Sequence, residues 1–182
     1  PQVKRQAVEG YGAHITLCDP TNKARAEAAS KKTEEVQGYF VHPSNEPRVI
    51  SGQGSVAVEF LEQCADLDAL VVPVGGGGLA SGMLGYFGDQ GRATLVEPMG
   101  GACLWAALEA GHPVALERVD TFADGAAVGQ IGALTFARLK EVGQENLLRI
   151  PEDRICTTMV EMLNLEGIVL EPAGALAIDC LL

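Results

Sequence analysis

The chain has 182 residues, 47% apolar and 20% charged, with a mean hydropathy of +0.15. That profile excludes disorder, collagen and a disulfide-rich miniprotein, and this length suffices to bury a sizeable core. Thirteen Lys and Arg against 24 Asp and Glu leave a net charge of -11, which repels phosphate backbones and anionic lipid and argues against nucleic-acid and membrane partners. In chain order, periodicity predicts a helix over residues 4–11, stopped by Gly12 and Ala13, then a strand over 14–18. The turn at 19–22 carries a capping signal for a charged helix over 23–36. After Gly38, Tyr39-Phe40-Val41 reads as a short buried strand, and the loop 42–47 is rich in proline and polar groups. A helix is expected over 51–64. Leu70-Val71-Val72-Pro73-Val74 is a continuous apolar run, as a parallel strand buried on both faces requires. Strands follow at 93–96 and 147–150, and helices at 102–110, 134–142 and 151–164, the last with Pro151 in its first turn. Residues 175–182, apolar apart from Asp179, read as a core helix left without neighbours and therefore prone to self-association. Strand and helix alternate throughout, so the class is α/β with a mainly parallel sheet.

The longest apolar run, 69–74, is far short of a membrane span. Pro1-Gln2-Val3-Lys4-Arg5 lacks both the apolar core of a signal peptide and an initiator Met, which suggests a processed product or a fragment, in the cytoplasm. Five scattered cysteines with no C-x-x-C are expected to be reduced thiols filling apolar space. His14, His42 and His112 do not cluster in sequence; His42, before a proline, reads as a packing or hydrogen-bonding residue. Ser81 sits in no nucleophile elbow.

The most informative stretch is Gly75-Gly76-Gly77-Gly78, between the buried strand and a helix beginning near Leu79. Glycines there can turn sharply and aim consecutive backbone N–H groups at one point, to which the helix adds its N-terminal dipole. Such a cradle binds a phosphate without basic side chains, which suits so acidic a chain. A Walker A loop is excluded, because no Gly-Lys-Ser/Thr follows. A dinucleotide fingerprint is not: Gly75, Gly77 and Ala80 fit G-x-G-x-x-A, with Glu97 where a ribose-binding acid would end the next strand. A module binding NAD and a site for another phosphate both remain open on these residues.

Val72-Pro73-Val74-Gly75-Gly76-Gly77-Gly78-Leu79-Ala80-Ser81-Gly82 resembles the tetraglycine loop of the fold-type II, pyridoxal-phosphate-dependent serine/threonine dehydratases. The likeness continues in the family's order through 4–13 (KRQAVEGYGA), His42-Pro43, Gly52-Gln53-Gly54-Ser55, Glu97-Pro98, Ala123-Asp124-Gly125 and 167–175 (GIVLEPAGA). It is strongest toward the family's threonine dehydratases, with serine racemases and serine dehydratases nearby. The resemblance implies a tryptophan synthase β-like fold: an open, mainly parallel, twisted sheet with helices on both faces. It places residues 1–41 in a small domain and 42–182 in a large cofactor-binding domain lacking elements from both ends. It implies pyridoxal 5′-phosphate held by Gly75, Gly76, Gly77, Gly78 and Leu79, with Gly125 and Glu171 near the cofactor. The implied reaction takes an amino-acid substrate, threonine or serine, to a 2-oxoacid and ammonia, in a homo-oligomeric parent. Serine racemization and a non-catalytic remnant are the alternatives.

Two departures from the pattern stand out. The family's Schiff-base lysine lies in a Ser-x-Lys-x-Arg-type segment, and none of Lys4, Lys23, Lys31, Lys32 or Lys140 occupies it; nor does a Ser-Gly-Gly-Asn-type segment occur. Glu97 matches a divalent-cation ligand of serine racemase-like members, but Cys103 stands where the second acid belongs, so no complete metal site is expected and Glu97 reads as structural. The stretch 82–97 also looks short for the family.

Overall fold

The structure, a computed structural model, describes residues 2–88 and 93–182. The chain divides into two compact units, Pro1–Phe40 and Val41–Leu182. Part of the stretch that looks short, residues 89–92, lies outside the described residues.

In the first unit, α1 (Gln2–Gly10) and α2 (Asn22–Glu35) form where periodicity places them. Thr21 caps α2, its Oγ1 accepting from the Ala24 N–H at 3.1 Å, which satisfies one of the donors a helix start leaves open. The strands expected at 14–18 and 39–41 do not form: neither segment joins a β-ladder among the described residues. Ile15, Leu17, Tyr39, Phe40 and Val41 remain exposed. An alternating or apolar run becomes a strand only where a neighbour completes its hydrogen bonds, and composition does not report that neighbour.

The second unit is built on three parallel strands, β1 (Leu70–Pro73), β2 (Ala93–Pro98) and β3 (Leu147–Ile150), in that spatial order. Leu70 pairs with Ala93 and Leu95 with Leu147. Parallel neighbours need crossovers. The first runs through α5 (Gly78–Phe87), the second through α6 (Cys103–Ala110) and α7 (Ala133–Leu139). Before β1 come α3 (Pro47–Gln53) and α4 (Ser55–Gln63); after β3 come α8 (Glu152–Glu161) and α9 (Pro172–Asp179). Alternate strand residues feed two cores. Leu70, Val72, Leu95 and Leu147 pack with Leu84, Leu104 and Leu139; Val96 and Ile150 pack with Ile155 and Leu176 on the opposite face. The arrangement is therefore an α/β parallel sheet covered on both faces, which is why β1 reads as an uninterrupted apolar run. Among the described residues, no helix is long and apolar enough to cross a membrane.

Several boundaries differ from the sequence expectation. The single helix over 51–64 is two helices joined at Gly54. Pro151 is the N-cap of α8 rather than a residue of its first turn, and after Glu161 the chain continues as a π-helical turn, Met162–Glu166. The terminal helix begins earlier, at Pro172, and does not lack neighbours. Ala175 and Leu176 are buried in the second core. Asp179, the apparent interruption, is only 2% exposed. It is paired with the Arg154 guanidinium at 2.8 Å and accepts from Thr158 Oγ1 at 2.8 Å, the partners a buried charge requires. Among the cysteines, Cys103 is buried and Cys180 partly so, but Cys18, Cys64 and Cys156 are exposed and fill no apolar space.

The junction at Gly54 explains Gly82. A Cβ on Gly82 would strike the Ile50 carbonyl oxygen and come within 2.7 Å of the Gly54 nitrogen, all backbone that cannot step aside. Gly85, one turn further along α5, has nothing within 4 Å of its hypothetical Cβ. Gly82→Ala is expected to lower unfolding free energy by about 1–3 kcal/mol through overpacking, whereas Gly85→Ala is expected to raise it by about 0.5–1 kcal/mol through helix propensity. Urea unfolding followed by circular dichroism distinguishes the two; equal effects would contradict the close crossing of α3 and α5.

Candidate phosphate-binding site

The ladder of β1 ends one residue past the strand, where Val74 N–H donates to Val96 O at 2.8 Å. The chain then turns through Gly75, Gly76 and Gly77 into α5. Gly77 is the N-cap residue, at φ 80 and ψ 3, left-handed backbone that strongly favours glycine. A Cβ there would also lie 2.9 Å from side-chain atoms of Ile131, Thr135 and Leu139.

The loop's carbonyls point into the protein. Cys103 Sγ donates to Gly75 O at 3.3 Å. Thr135 Oγ1 lies 2.9 Å from Gly76 O and 3.1 Å from Gly132 O, so its single proton is shared between them. With the carbonyls pinned inward, the amides face outward: among the described residues, none of the N–H groups of Gly75, Gly76, Gly77, Gly78 and Leu79 donates to a protein acceptor. Gly78 and Leu79 open α5, whose first amides have no intrahelical partner and carry the positive end of its dipole. An anion with several acceptor oxygens is the complement of this arrangement.

A second segment closes over the loop. Ser44 packs so tightly on Gly76 that a Cβ there would collide with its side chain, and one on Gly78 would sit 3.1 Å from Ser44 Cα. His42 shapes this segment, its Nδ1 accepting from the N–H groups of Ser44 at 3.2 Å and Asn45 at 2.8 Å. Asn45 Oδ1 in turn accepts from Leu134 N–H at the start of α7, 2.9 Å away. The hydrogen-bonding reading of His42 describes what it does; His14 and His112 are exposed.

Gly125 and Glu171 lie beside the loop. The Gly125 carbonyl would be 3.1 Å from a Cβ on Gly75, and a Cβ on Gly125 would meet Ala173 at 3.0 Å and Glu171 Oε1 at 3.3 Å. Residues 75–78, 125 and 171 thus converge at the carboxyl end of β1. Glu171 occupies the N-cap position of α9, yet its side chain makes no capping hydrogen bond, leaving an exposed carboxylate.

Glu97 is wholly buried at the end of β2. Its two oxygens accept from Leu104 N–H at 2.7 Å and Trp105 N–H at 2.9 Å, so the carboxylate caps α6. Burial pushes its pKa up to about 7, against the pull of those two amides, of the Cys103 thiol and of Arg149. Burial also raises Cys103, reinforced by the Glu97 carboxylate, and so keeps it a neutral thiol whose single proton is shared between Glu97 and Gly75 O. Among the described residues, no group of three or more His, Cys, Asp and Glu is placed to hold a metal ion. Sequence reasoning missed Cys103, Thr135, Ser44 and Asn45 as parts of this site. Asn45 before a proline-led helix was the one local hint.

With this geometry in place, comparison identifies the class. The chain belongs to the pyridoxal-phosphate-dependent enzymes, whose family model matches residues 1–182. It is 40% identical over 190 residues to the biosynthetic L-threonine dehydratase of Mycobacterium tuberculosis, covering 100% of this chain and 44% of that protein. In structure it resembles the processed form of threonine deaminase isoform 2 from Solanum lycopersicum, with a TM-score of 0.88, 34% identity, and coverage of 98% of this chain and 53% of that one. It also resembles the serine racemase of Dictyostelium discoideum, with a TM-score of 0.82, 32% identity and coverage of 98% and 58%. The chain therefore spans about half the length of these relatives. The family's cofactor carries a phosphate, and the outward amides of residues 75–79 are chemically suited to it. The dinucleotide reading falls on geometry as well, since Glu97 is spent on α6 and inaccessible to a ribose.

The raised pKa of Glu97 has a consequence for stability. Its folded pKa near 7 exceeds the ordinary 4.5, so the native state holds more protons across that window and loses stability as pH rises through it. Urea unfolding at pH 5 and pH 8 is expected to show the stability of the native chain, relative to Glu97→Gln, falling by at most about 3 kcal/mol between the two. Parallel profiles would contradict the buried, proton-retaining carboxylate.

Proposed function

We propose that this chain forms the phosphate-binding portion of a threonine dehydratase, acting on threonine and, as a smaller homologue of it, serine, to release a 2-oxoacid and ammonia. The observation that carries the reading is the row of unpartnered amides at residues 75–79, in a chain whose relatives bear that name. Pyridoxal phosphate, when bound, supplies the electron sink for loss of the α-proton and β-hydroxyl. Gly75, Gly76, Gly77, Gly78 and Leu79 receive its phosphate through N–H groups and the α5 dipole. Thr135 and Cys103 hold the loop in its binding conformation before the ligand arrives, so little ordering cost remains to be met on binding. Gly125 and Glu171, beside the loop, border the rest of the group; a side chain larger than hydrogen at 125 would crowd Ala173 and the Glu171 carboxylate. We assign residues 1–41 to a small domain and 42–182 to the large one. The covalent lysine of this chemistry we assign to none of the five lysines; Lys140, for example, is exposed and lies 3.9 Å from Glu141.

The test is a deamination assay on the native protein carrying this chain, at graded pyridoxal phosphate. Threonine is expected to yield 2-oxobutanoate and ammonia. Thr135→Val, which keeps shape but frees the Gly76 carbonyl, is expected to raise the half-saturating cofactor concentration about tenfold, the effect of one lost hydrogen bond. Absence of any 2-oxoacid from threonine and serine would overturn the reaction, and an unchanged cofactor requirement in Thr135→Val would overturn the role of the loop.

A further inference from the structure

One region outside the cradle combines a cavity with unsatisfied polar chemistry. Between α3, α5 and α7 lies an open groove of about 530 Å³, within the size range of small-molecule sites. Ser81 is 2% exposed, lines this groove, and its Oγ has no hydrogen-bond partner. A buried hydroxyl left unmatched is costly, and native proteins rarely retain one without a use or a bound molecule.

Arg138, on α7, lines the same groove. Its Nη2 donates to Leu84 O at 3.0 Å, its sole protein partner among the described residues. Asp and Glu outnumber Lys and Arg by 24 to 13, so a half-buried guanidinium that no carboxylate has claimed is conspicuous. A guanidinium offers five N–H donors, and most of these remain available to a planar anion. Leu84 follows Ser81 by three residues on α5, a rise of about 4.5 Å, so the hydroxyl and the guanidinium's anchor lie one turn apart on one helix face. The rest of the wall is mostly apolar, Pro47 and Ile50 from α3, Tyr86 from α5 and Leu134 from α7, with Ser51 of α3 as a further polar group. Tyr86 and Leu134 are 55% and 46% exposed, so both present apolar surface to the groove.

We propose that this groove is a second binding site, taking a small monocarboxylate with an apolar body: the carboxylate on Ser81 and Arg138, the body against Pro47, Ile50, Tyr86 and Leu134. The site is distinct from the cradle and does not depend on the cofactor reading. The two are nevertheless joined physically, because α5 begins with the cradle amides and carries Ser81 one turn later, while α7 carries both Thr135 and Arg138. A ligand here rests on the two helices that hold the loop.

The probe is 4-methylpentanoate, with its neutral amide as the control, titrated into the 182-residue chain by calorimetry and by amide NMR. Saturable binding is expected, perturbing Gly54, Gly82 and Gly85, with the neutral amide bound about tenfold more weakly. Ser81→Ala removes an unmatched hydroxyl, so it is expected to fold with undiminished thermal stability while binding the probe about tenfold more weakly. Arg138→Met is expected to weaken the carboxylate and leave the amide little changed. Binding that is non-saturable, equal in Ser81→Ala and the native chain, or competitive with pyridoxal phosphate would overturn the proposal. So would sedimentation showing that a second copy of the chain occupies the groove in place of the probe.

Discussion

The inward fixing of two carbonyls organizes this structure. Cys103 holds Gly75 O and Thr135 holds Gly76 O, and because a peptide unit is planar, turning a carbonyl inward turns the next amide outward. Both donors come from elements far along the chain, the start of α6 and the first turn of α7. The cradle is therefore a product of tertiary packing rather than of glycine flexibility. The glycines permit the conformation, Gly77 through its positive φ and Gly76 through the approach of Ser44, while the distant donors select it.

The same logic places Glu97. A buried carboxylate is costly unless hydrogen-bonded, and here its partners are the first amides of α6. Capping fixes where α6 begins, hence where the Cys103 thiol sits, hence the Gly75 carbonyl. A carboxylate pushed toward neutral pH by burial is thus coupled to the anion-facing loop through one helix turn. The Asp179 cluster performs a comparable task on the opposite face, tying α8 to α9 through Arg154 and Thr158. That positions Glu171, eight residues earlier, beside Gly125.

Much of the second unit was legible in the sequence because burial on both faces leaves a strong mark. Leu70-Val71-Val72-Pro73-Val74 could hardly be anything but a strand, and four glycines between strand and helix announce a turn; residues 147–150 are a weaker signal, since Leu148 and Arg149 are exposed. What was not legible depended on contacts between distant residues. Residues 14–18 and 39–41 have strand-like composition but join no ladder. The junction at Gly54 packs against Gly82, 28 positions away in the sequence. Asp179 looked like a flaw in an apolar helix because its partners lie on α8. Thr135 carries no local signal at all, since a threonine in a helix is ordinary until the carbonyl above it is known. The resemblance singled out Gly125 and Glu171, which composition and periodicity alone would not have done; Gly125 lies against Gly75, and Glu171 against Gly125.

The central claim is that the amides of residues 75–78 receive a phosphate. Amide NMR on the chain labelled with ¹⁵N-glycine, titrated with pyridoxal phosphate, tests it most directly, because each of the 22 glycines reports separately. Gly75, Gly76, Gly77 and Gly78 are expected to shift together, downfield, with one common dissociation constant, while Gly88 and Gly111, at the far ends of α5 and α6, stay in place. Shifts centred elsewhere, or an unmoved quartet at saturating ligand, would contradict the account.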